Sequence, residues 1–269
     1  MTGVPPKKSL GQNFLADENV ASRIVRSASL TRDDAVVEIG PGQGALTREL
    51  AEKAGSVTAI ELDERLAGHL KENLGGLPNL QVVSGDALAF PYESLPGKVK
   101  VVANLPYYIS TPIITKLLGA HDKISSMILM LQKEVAQRIT ASPGGRDYGY
   151  MSVMVQFYAE AEMLFSVPKE AFRPVPKVDS AVVRLNLRKA PEDVSDAVFF
   201  ERVVSASFSK RRKMLRNSLK NSSVIPPDRF DSLMERLLVS GIDPSRRAET
   251  FSLSEFVLMT EILFENRGL

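Results

Sequence analysis

The chain contains no cysteine. Disulfides, thiolate metal sites and cysteine nucleophiles are therefore excluded. Its only two histidines are His69 and His121. Nothing near either has metal-ligand spacing, so both are expected at the surface and no metal site is expected. No apolar run approaches the roughly 18 residues needed to cross a membrane, and the opening MTGVPPKKSLGQNFL lacks the apolar core of a signal peptide. A cytoplasmic protein without a membrane partner is expected. Charge of one sign is also lacking: the net charge is only +2, so a nucleic-acid surface has to come from local clustering. The apolar fraction of 44% and charged fraction of 25% are ordinary for a globular protein. A length of 269 residues suits one large domain, or a large one with a small one.

The most informative stretch is Val101-Val102-Ala103-Asn104-Leu105-Pro106-Tyr107-Tyr108. Its β-branched apolar start predicts a buried strand, and Pro106 ends it because proline cannot donate to a ladder. Ligands of open α/β sheets bind just outside the carboxyl ends of strands, where Asn104 and Tyr107 would stand. An amide oxygen accepts from an exocyclic amine, and a tyrosine ring stacks on a flat base. Together they describe a pocket for a planar, weakly nucleophilic amine. A capped strand end with a packed tyrosine is the plainer alternative for these residues taken alone.

The surrounding chain favours the pocket. Asp17 is a plausible N-cap for a helix carrying Val20, Ile24 and Val25 on one face. Phe14 and Leu15 argue that the basic N-terminal segment packs on something. Ala35–Ile39 reads as a strand, Gly40-Pro41-Gly42-Gln43-Gly44 as a turn, and Ala45–Lys53 as a helix, which is the start of a nucleotide-binding βαβ unit. Glycines there let a ligand approach the backbone. The next strand, Val57–Ile60, ends at Glu61, placed to accept from both hydroxyls of a ribose. A helix over Glu64–Leu74 follows. A third strand, Leu80–Val83, ends near Asp86, where a carboxylate can accept from an adenine amino group. The loose Gly40-x-Gly42-x-x-Ala45 pattern would also suit a nicotinamide dinucleotide. Glu38, immediately before the loop, would oppose a pyrophosphate but suits an ammonium or sulfonium centre. The ligand that fits is S-adenosylmethionine.

Downstream, Thr111 is expected to cap a helix over Pro112–Leu118. Ser125–Leu131 reads as a central strand and Gln132–Ile139 as a helix. Ser142–Gly149 is expected to be a mobile loop at the rim of the site, Ser152–Tyr158 a helix, and Ala161–Val167 with Ser180–Leu187 a closing antiparallel pair. Between them, Phe172 is either a packing residue on a proline-stiffened connector or the second face of a base held by Tyr107. Arg188–Asp193 reads as a linker, and helices follow at Ala197–Phe208, Met214–Leu219, Arg229–Val239 and Leu253–Phe264. Lys210, Arg211, Arg212, Lys213, Arg216 and Lys220 occur with no acidic residue among them, an electrostatic footprint for a phosphate backbone.

Read together, KKSLGQNFL, VVEIGPGQGALT, the ELD at Glu61, SGDAL, NLPYYIST, LQKEVAQRI, the Tyr148-Gly149 segment, FRPVPKVDSAVV, FSKRRKMLRNSL and RAETFSLSEF resemble the ribosomal RNA adenine N6,N6-dimethyltransferases, the KsgA/RsmA family. The resemblance implies an α/β fold: a Rossmann-like class I S-adenosylmethionine-dependent methyltransferase domain (1–188) and a small all-helical C-terminal domain (189–269) that binds RNA. By the family pattern, Asn13, Leu15, Gly40, Glu61, Asp86 and Asn104 contact S-adenosylmethionine. Asn104, Leu105, Pro106 and Tyr107 form the target-adenine pocket, with Phe172 opposite. The implied substrate is a pair of adjacent adenosines in the 3′-terminal stem-loop of 16S small-subunit rRNA, modified late in 30S assembly by a monomeric enzyme. The basic region Lys210, Arg211, Arg212, Lys213 and Arg216 would contact that rRNA in the assembling subunit. One departure is Tyr108, where the family usually has asparagine. The erythromycin-resistance methyltransferases share the catalytic half but act on large-subunit rRNA; RAETFSLSEF favours the small-subunit branch. Methylation of another planar amine, or a non-catalytic RNA-binding assembly role, are the remaining alternatives.

Overall fold

The computed structural model describes residues 4–7, 10–189, 194–210, 212–220 and 222–266. It divides into two compact units. The first holds the described residues up to Ala136 together with Glu160–Arg188, and the second holds Gln137–Ala159 with the described residues from Lys189 onward. The chain thus crosses between units near 188/189 and also at both ends of the segment 137–159, which was expected within the first domain. Residues 190–193 of the expected linker lie outside the described residues.

The first unit is built on nine strands, β1 (Phe14–Leu15), β2 (Ala35–Ile39), β3 (Ser56–Glu61), β4 (Leu80–Ser84), β5 (Val99–Asn104), β6 (Ile124–Gln132), β7 (Ala159–Val167), β8 (Phe172–Arg173) and β9 (Ser180–Leu187). Seven of them form one sheet in the order β4-β3-β2-β5-β6-β9-β7. The pairs β3–β4, β2–β3, β2–β5 and β5–β6 are parallel, and β9 runs antiparallel to β6. Parallel strands covered on both faces need nearly continuous apolar runs. Val101, Val102 and Ala103 of β5 are fully buried, as are Met127, Leu129, Met130 and Leu131 of β6. Burying each of these Val, Leu or Met side chains is worth about 1.5–3 kcal/mol, which is why this stretch takes the sheet centre. The direction of chain progression reverses between neighbouring β2 and β5, so the carboxyl edge there is the switch point at which open α/β sheets bind ligands.

Helices α1 (Glu18–Ser27), α2 (Thr47–Lys53), α3 (Glu64–Leu74) and α4 (Ser110–Gly119) link the strands. Asp17 caps α1, accepting from the Asn19 N–H at 2.9 Å. The cap expected of Thr111 is not made: α4 starts at Ser110, and no side chain caps it. Ser110 Oγ instead donates to the Tyr107 carbonyl at 3.2 Å, folding the strand end into the helix. His69 and His121 are half-buried rather than on the surface. His121 Nδ1 lies 3.1 Å from the Leu118 carbonyl, an ordinary contact at a helix end.

After α5 (Lys133–Ile139), the second unit is helical: α6 (Tyr150–Tyr158), α7 (Ala197–Phe208), α8 (Leu215–Leu219), α9 (Phe230–Val239) and α10 (Leu253–Glu265). Helix α6 joins this unit because it is apolar nearly all round, with Met151, Val153, Met154, Val155 and Phe157 buried. Phe157 stacks on Phe200 of α7, ring centroids 4.1 Å apart. Ser252 and Glu255 form a reciprocal cap on α10, at 3.2 and 2.7 Å. The loop 142–149, expected to be mobile at the site rim, is tied down in this unit. Tyr148 is buried in its core, and the Gly144 N–H donates to the Glu249 carbonyl at 2.7 Å. Among the described residues no helix is long and apolar enough to cross a membrane.

Candidate active site

A pocket opens along the carboxyl edge of the first unit's sheet. The residues following β2, β3, β4 and β5 line it, joined by Leu10–Leu15 of the N-terminal segment and by Phe172. Every residue expected at the cofactor site is there: Asn13, Leu15, Gly40, Glu61, Asp86 and Asn104. So are Leu105, Pro106 and Tyr107.

Gly40 and Gly42 both take left-handed backbone, φ +65° and +59°, which disfavours any residue with a Cβ. A Cβ on Gly42 would also stand 3.1 Å from Cδ1 of Phe14. Within the turn the Gly40 N–H donates to the Ile60 carbonyl at 3.0 Å, and the Gly42 N–H donates to Glu61 Oε2 at 3.0 Å. The other Glu61 oxygen accepts from the Asp63 N–H at 2.9 Å. Each carboxylate oxygen carries more than one acceptor position, so Glu61 keeps capacity for two further donors on its pocket side. Burial pushes the Glu61 carboxyl up, against the backbone amides of Asp63, Gly42 and Leu62 that lower it.

Glu38 is the less usual acid. It is 1% exposed, it lines the pocket, and neither oxygen has a hydrogen-bond partner among the described residues. Burial pushes its carboxyl up to about 8, and the negative charge of Glu61 adds to the rise. The Thr47 hydroxyl acts against that rise from outside hydrogen-bond geometry. A buried, unpartnered carboxylate is costly to ionise alone, and a cation in the pocket would supply the missing charge. These acids fit a cationic, diol-bearing ligand.

Asn104 ends β5 half-buried, and its side-chain amide makes no hydrogen bond among the described residues. Leu105 is fixed by its N–H to the Met130 carbonyl, 3.2 Å away. The Pro106 carbonyl already accepts from the Ile109 N–H at 3.2 Å, so the Leu105 carbonyl is the freer acceptor of the two. Tyr107 is held by its oxygen, 2.9 Å from Ser180 Oγ. Asp86 is exposed, with Oδ1 taken by the Leu88 N–H at 2.8 Å.

Phe172 departs from one of its two expected readings. It is fully buried, paired with Leu15 through β1–β8, and so forms pocket wall rather than an open stacking face. Tyr108 is 53% exposed; its ring lies over Gly11, where an added Cβ would meet Cδ1 at 3.3 Å.

Asp63 and Ser180 are the residues that motif reasoning missed. The Asp63 carboxylate has no solvent exposure. It accepts from Arg65 Nη2 at 2.7 Å, Gln12 Nε2 at 3.2 Å and Lys7 Nζ at 3.3 Å. The Arg65 guanidinium holds it well below the usual carboxylate range, helped by Gln12 and Lys7. These contacts tie Lys7 and Gln12 to the turn after β3. Asp63 is the last residue of the ELD motif, but its partners at Lys7 and Gln12 lie 56 and 51 residues away.

In the second unit, Lys210, Arg212, Lys213, Arg216 and Lys220 are all exposed. None makes an ion pair among the described residues; Arg211 lies outside them.

The family model described as ribosomal RNA adenine dimethylase matches residues 5–264. The ribosomal RNA small subunit methyltransferase A of Listeria monocytogenes serotype 4a (strain HCC23) is 48% identical over 266 residues, covering 96% of this chain and 90% of its own. The crystal structure of a dimethyladenosine transferase from Plasmodium falciparum superposes with a TM-score of 0.81 at 27% identity, over 95% of this chain and 98% of its own. The 23S rRNA methyltransferase ErmE superposes at 0.70 with 32% identity, over 94% and 100%.

Proposed function

Because this chain belongs to the ribosomal RNA adenine dimethylase family, we propose a specific substrate for it. The target is a pair of adjacent adenosines in the 3′-terminal stem-loop of 16S rRNA, dimethylated at N6 during late assembly of the small subunit. The chain is an S-adenosylmethionine-dependent rRNA adenine dimethyltransferase, which we place in the cytoplasm and take to act as a monomer. The observation that carries the reading is the uncommitted amide of Asn104 at the end of a fully buried strand, in one pocket with the unpartnered Glu38.

S-adenosylmethionine, when bound, supplies an electrophilic methyl group on a sulfonium centre. Glu38 faces its positive charge, Glu61 accepts from its ribose hydroxyls, and Asp86 stands at the strand end where the adenine amino group is recognised. Gly40 and Gly42 let it lie against the backbone, and Asn13 and Leu15 close the N-terminal side.

The N6 lone pair of the target adenine is delocalised into its ring. Asn104 Oδ1 and the Leu105 carbonyl accept from the amino hydrogens, hold the nitrogen and favour its pyramidal form. Pro106 stiffens this turn, and Tyr107 stacks on the base, which repays part of the few kcal/mol that extrusion costs. Phe172 supports the wall behind. Such fixed dipoles and positioning account for the acceleration without a covalent enzyme intermediate. Lys210, Arg212, Lys213 and Arg216 hold phosphates, with Arg211 assigned to the same group.

The test incubates the protein with methyl-labelled S-adenosylmethionine and undermethylated small subunits and maps modification by primer extension. Two adjacent stops in the 3′-terminal loop are expected, and Asn104→Ala should fold normally while losing about 100-fold or more in transfer, the scale of a lost preorganised group. Label in large-subunit RNA would move the chain to the ErmE type of activity. Tight subunit binding without label would favour an assembly role.

A further inference from the structure

The antiparallel last pairing of the sheet has a consequence for the pocket. Because β9 runs against β6, its first residue, Ser180, pairs with Gln132 at the carboxyl edge where the ligand loops converge. Ser180 is fully buried. Its neighbour Asp179 is fixed on two sides, the carbonyl accepting from the Lys133 N–H at 3.0 Å and Oδ1 from the Lys169 N–H at 3.1 Å. The hydroxyl of Ser180 is therefore a rigid point, and it meets the oxygen of Tyr107 at 2.9 Å.

Tyr107 itself sits in a loop. Pro106 limits the backbone there, but the ring's orientation about its side-chain torsions needs a second anchor. We propose that Ser180 is a positioning residue for methyl transfer, fixing the plane of the Tyr107 ring so that the stacked adenine presents its amino group to Asn104 and the Leu105 carbonyl. This rests on the adenine-methylating reading above. Burial raises the Tyr107 phenol, so the ring stays neutral and its oxygen can donate to or accept from Ser180. Displacements of about 1 Å can cost about 100-fold in a reaction that depends on alignment, and the loss of this one anchor should cost about tenfold.

The test is a double-mutant cycle read by single-turnover transfer to undermethylated small subunits, with cofactor affinity and melting temperature measured alongside. Ser180→Ala and Tyr107→Phe should each slow transfer about tenfold. The double variant should be no slower than either single one, because both remove the same bond. The apparent affinities for cofactor and subunit should change less than twofold. Should Ser180→Ala unfold, Tyr107→Phe removes the bond from the other side without a cavity in β9 and must still slow the reaction. Full-rate Tyr107→Phe, full-rate Ser180→Ala, or losses that multiply in the double variant would each overturn the assignment. If the wild-type protein transfers no label, the functional reading fails and this one fails with it. If it transfers normally and the variants do too, only the positioning role fails.

Discussion

The backbone N–H of Gly42 donates to Oε2 of Glu61 over 3.0 Å, so the turn after β2 and the acid that ends β3 are one construction. A glutamine at 61 keeps one acceptor oxygen but turns an NH2 group toward either the Gly42 or the Asp63 amide. One charge-assisted hydrogen bond, worth about 1.5–3 kcal/mol, is lost, along with acceptor capacity for the ribose. Glu61→Gln should weaken S-adenosylmethionine binding about 10–100-fold by calorimetric titration. An affinity within twofold of wild type would show that Glu61 organises the loop without touching the ligand.

Glu38 sets a pH dependence whose sign follows from its burial. Its folded-state carboxyl lies at about 8, raised from 4.5. Between those values the folded protein holds a proton that the unfolded chain has lost, so stability is fully present below about 4.5 and declines as pH rises through about 8. Glu38→Gln should flatten that decline in melting temperature. A cationic ligand favours the ionised form, so binding should release a proton below pH 8 and affinity should climb as pH rises toward it. Calorimetry in buffers of different ionisation enthalpy reads the proton directly. An affinity that is flat from pH 6.5 to 9 in wild type would remove Glu38 from the cation site.

Asp63 acts with the opposite sign. Arg65, Gln12 and Lys7 hold its carboxyl low, so its contribution is present above the ordinary carboxylate value and lost only in strong acid. Asp63→Asn leaves Lys7 and Arg65 without their charge partner and weakens the bond from Gln12. Residues 10–15 should then exchange amide hydrogens faster. Cofactor affinity should fall about tenfold, as expected for one charged hydrogen bond, while transfer at saturating cofactor stays near normal. Unchanged exchange in that segment would mean that the β1–β8 pairing alone holds it.

Much of this site was legible because it is built from strand ends. The strand Ala35–Ile39 and the helix Glu64–Leu74 fall where period and caps place them. The apolar run into Pro106 fixes where β5 stops, and the carboxyl-edge rule then gathers Glu38, Glu61, Asp86 and Asn104 in one place. What escaped was non-local. Nothing in the sequence near Tyr107 names Ser180, 73 residues on, as its partner. Phe172 was open to two readings because its partner, Leu15, lies in the N-terminal segment, and the pairing buries the ring. Helix α6 was expected in the first domain because its apolar pattern says only that it is buried, whereas the stacking of its Phe157 on Phe200 places it in the second unit.

The basic stretch of the second unit makes a prediction separable from all of these. Lys210, Arg212, Lys213, Arg216 and Lys220 are exposed, and exposed cations with no carboxylate partner gain little by packing. Their value would lie in displacing counterions from RNA, which shows as the slope of log affinity against log salt. Each phosphate contact contributes about 0.7–0.9 to that slope. Replacing Arg212, Lys213, Arg216 and Lys220 together by alanine should therefore reduce its magnitude by about 3 if all four touch phosphate, and weaken small-subunit binding at physiological salt. S-adenosylmethionine affinity should not change, since none of the four lines the pocket. A variant that binds subunits with the wild-type slope would show that the phosphate contacts lie elsewhere. In that case the cluster would be only a solvated face, and the search for the RNA path would move to the exposed residues around the pocket, beginning with Tyr108.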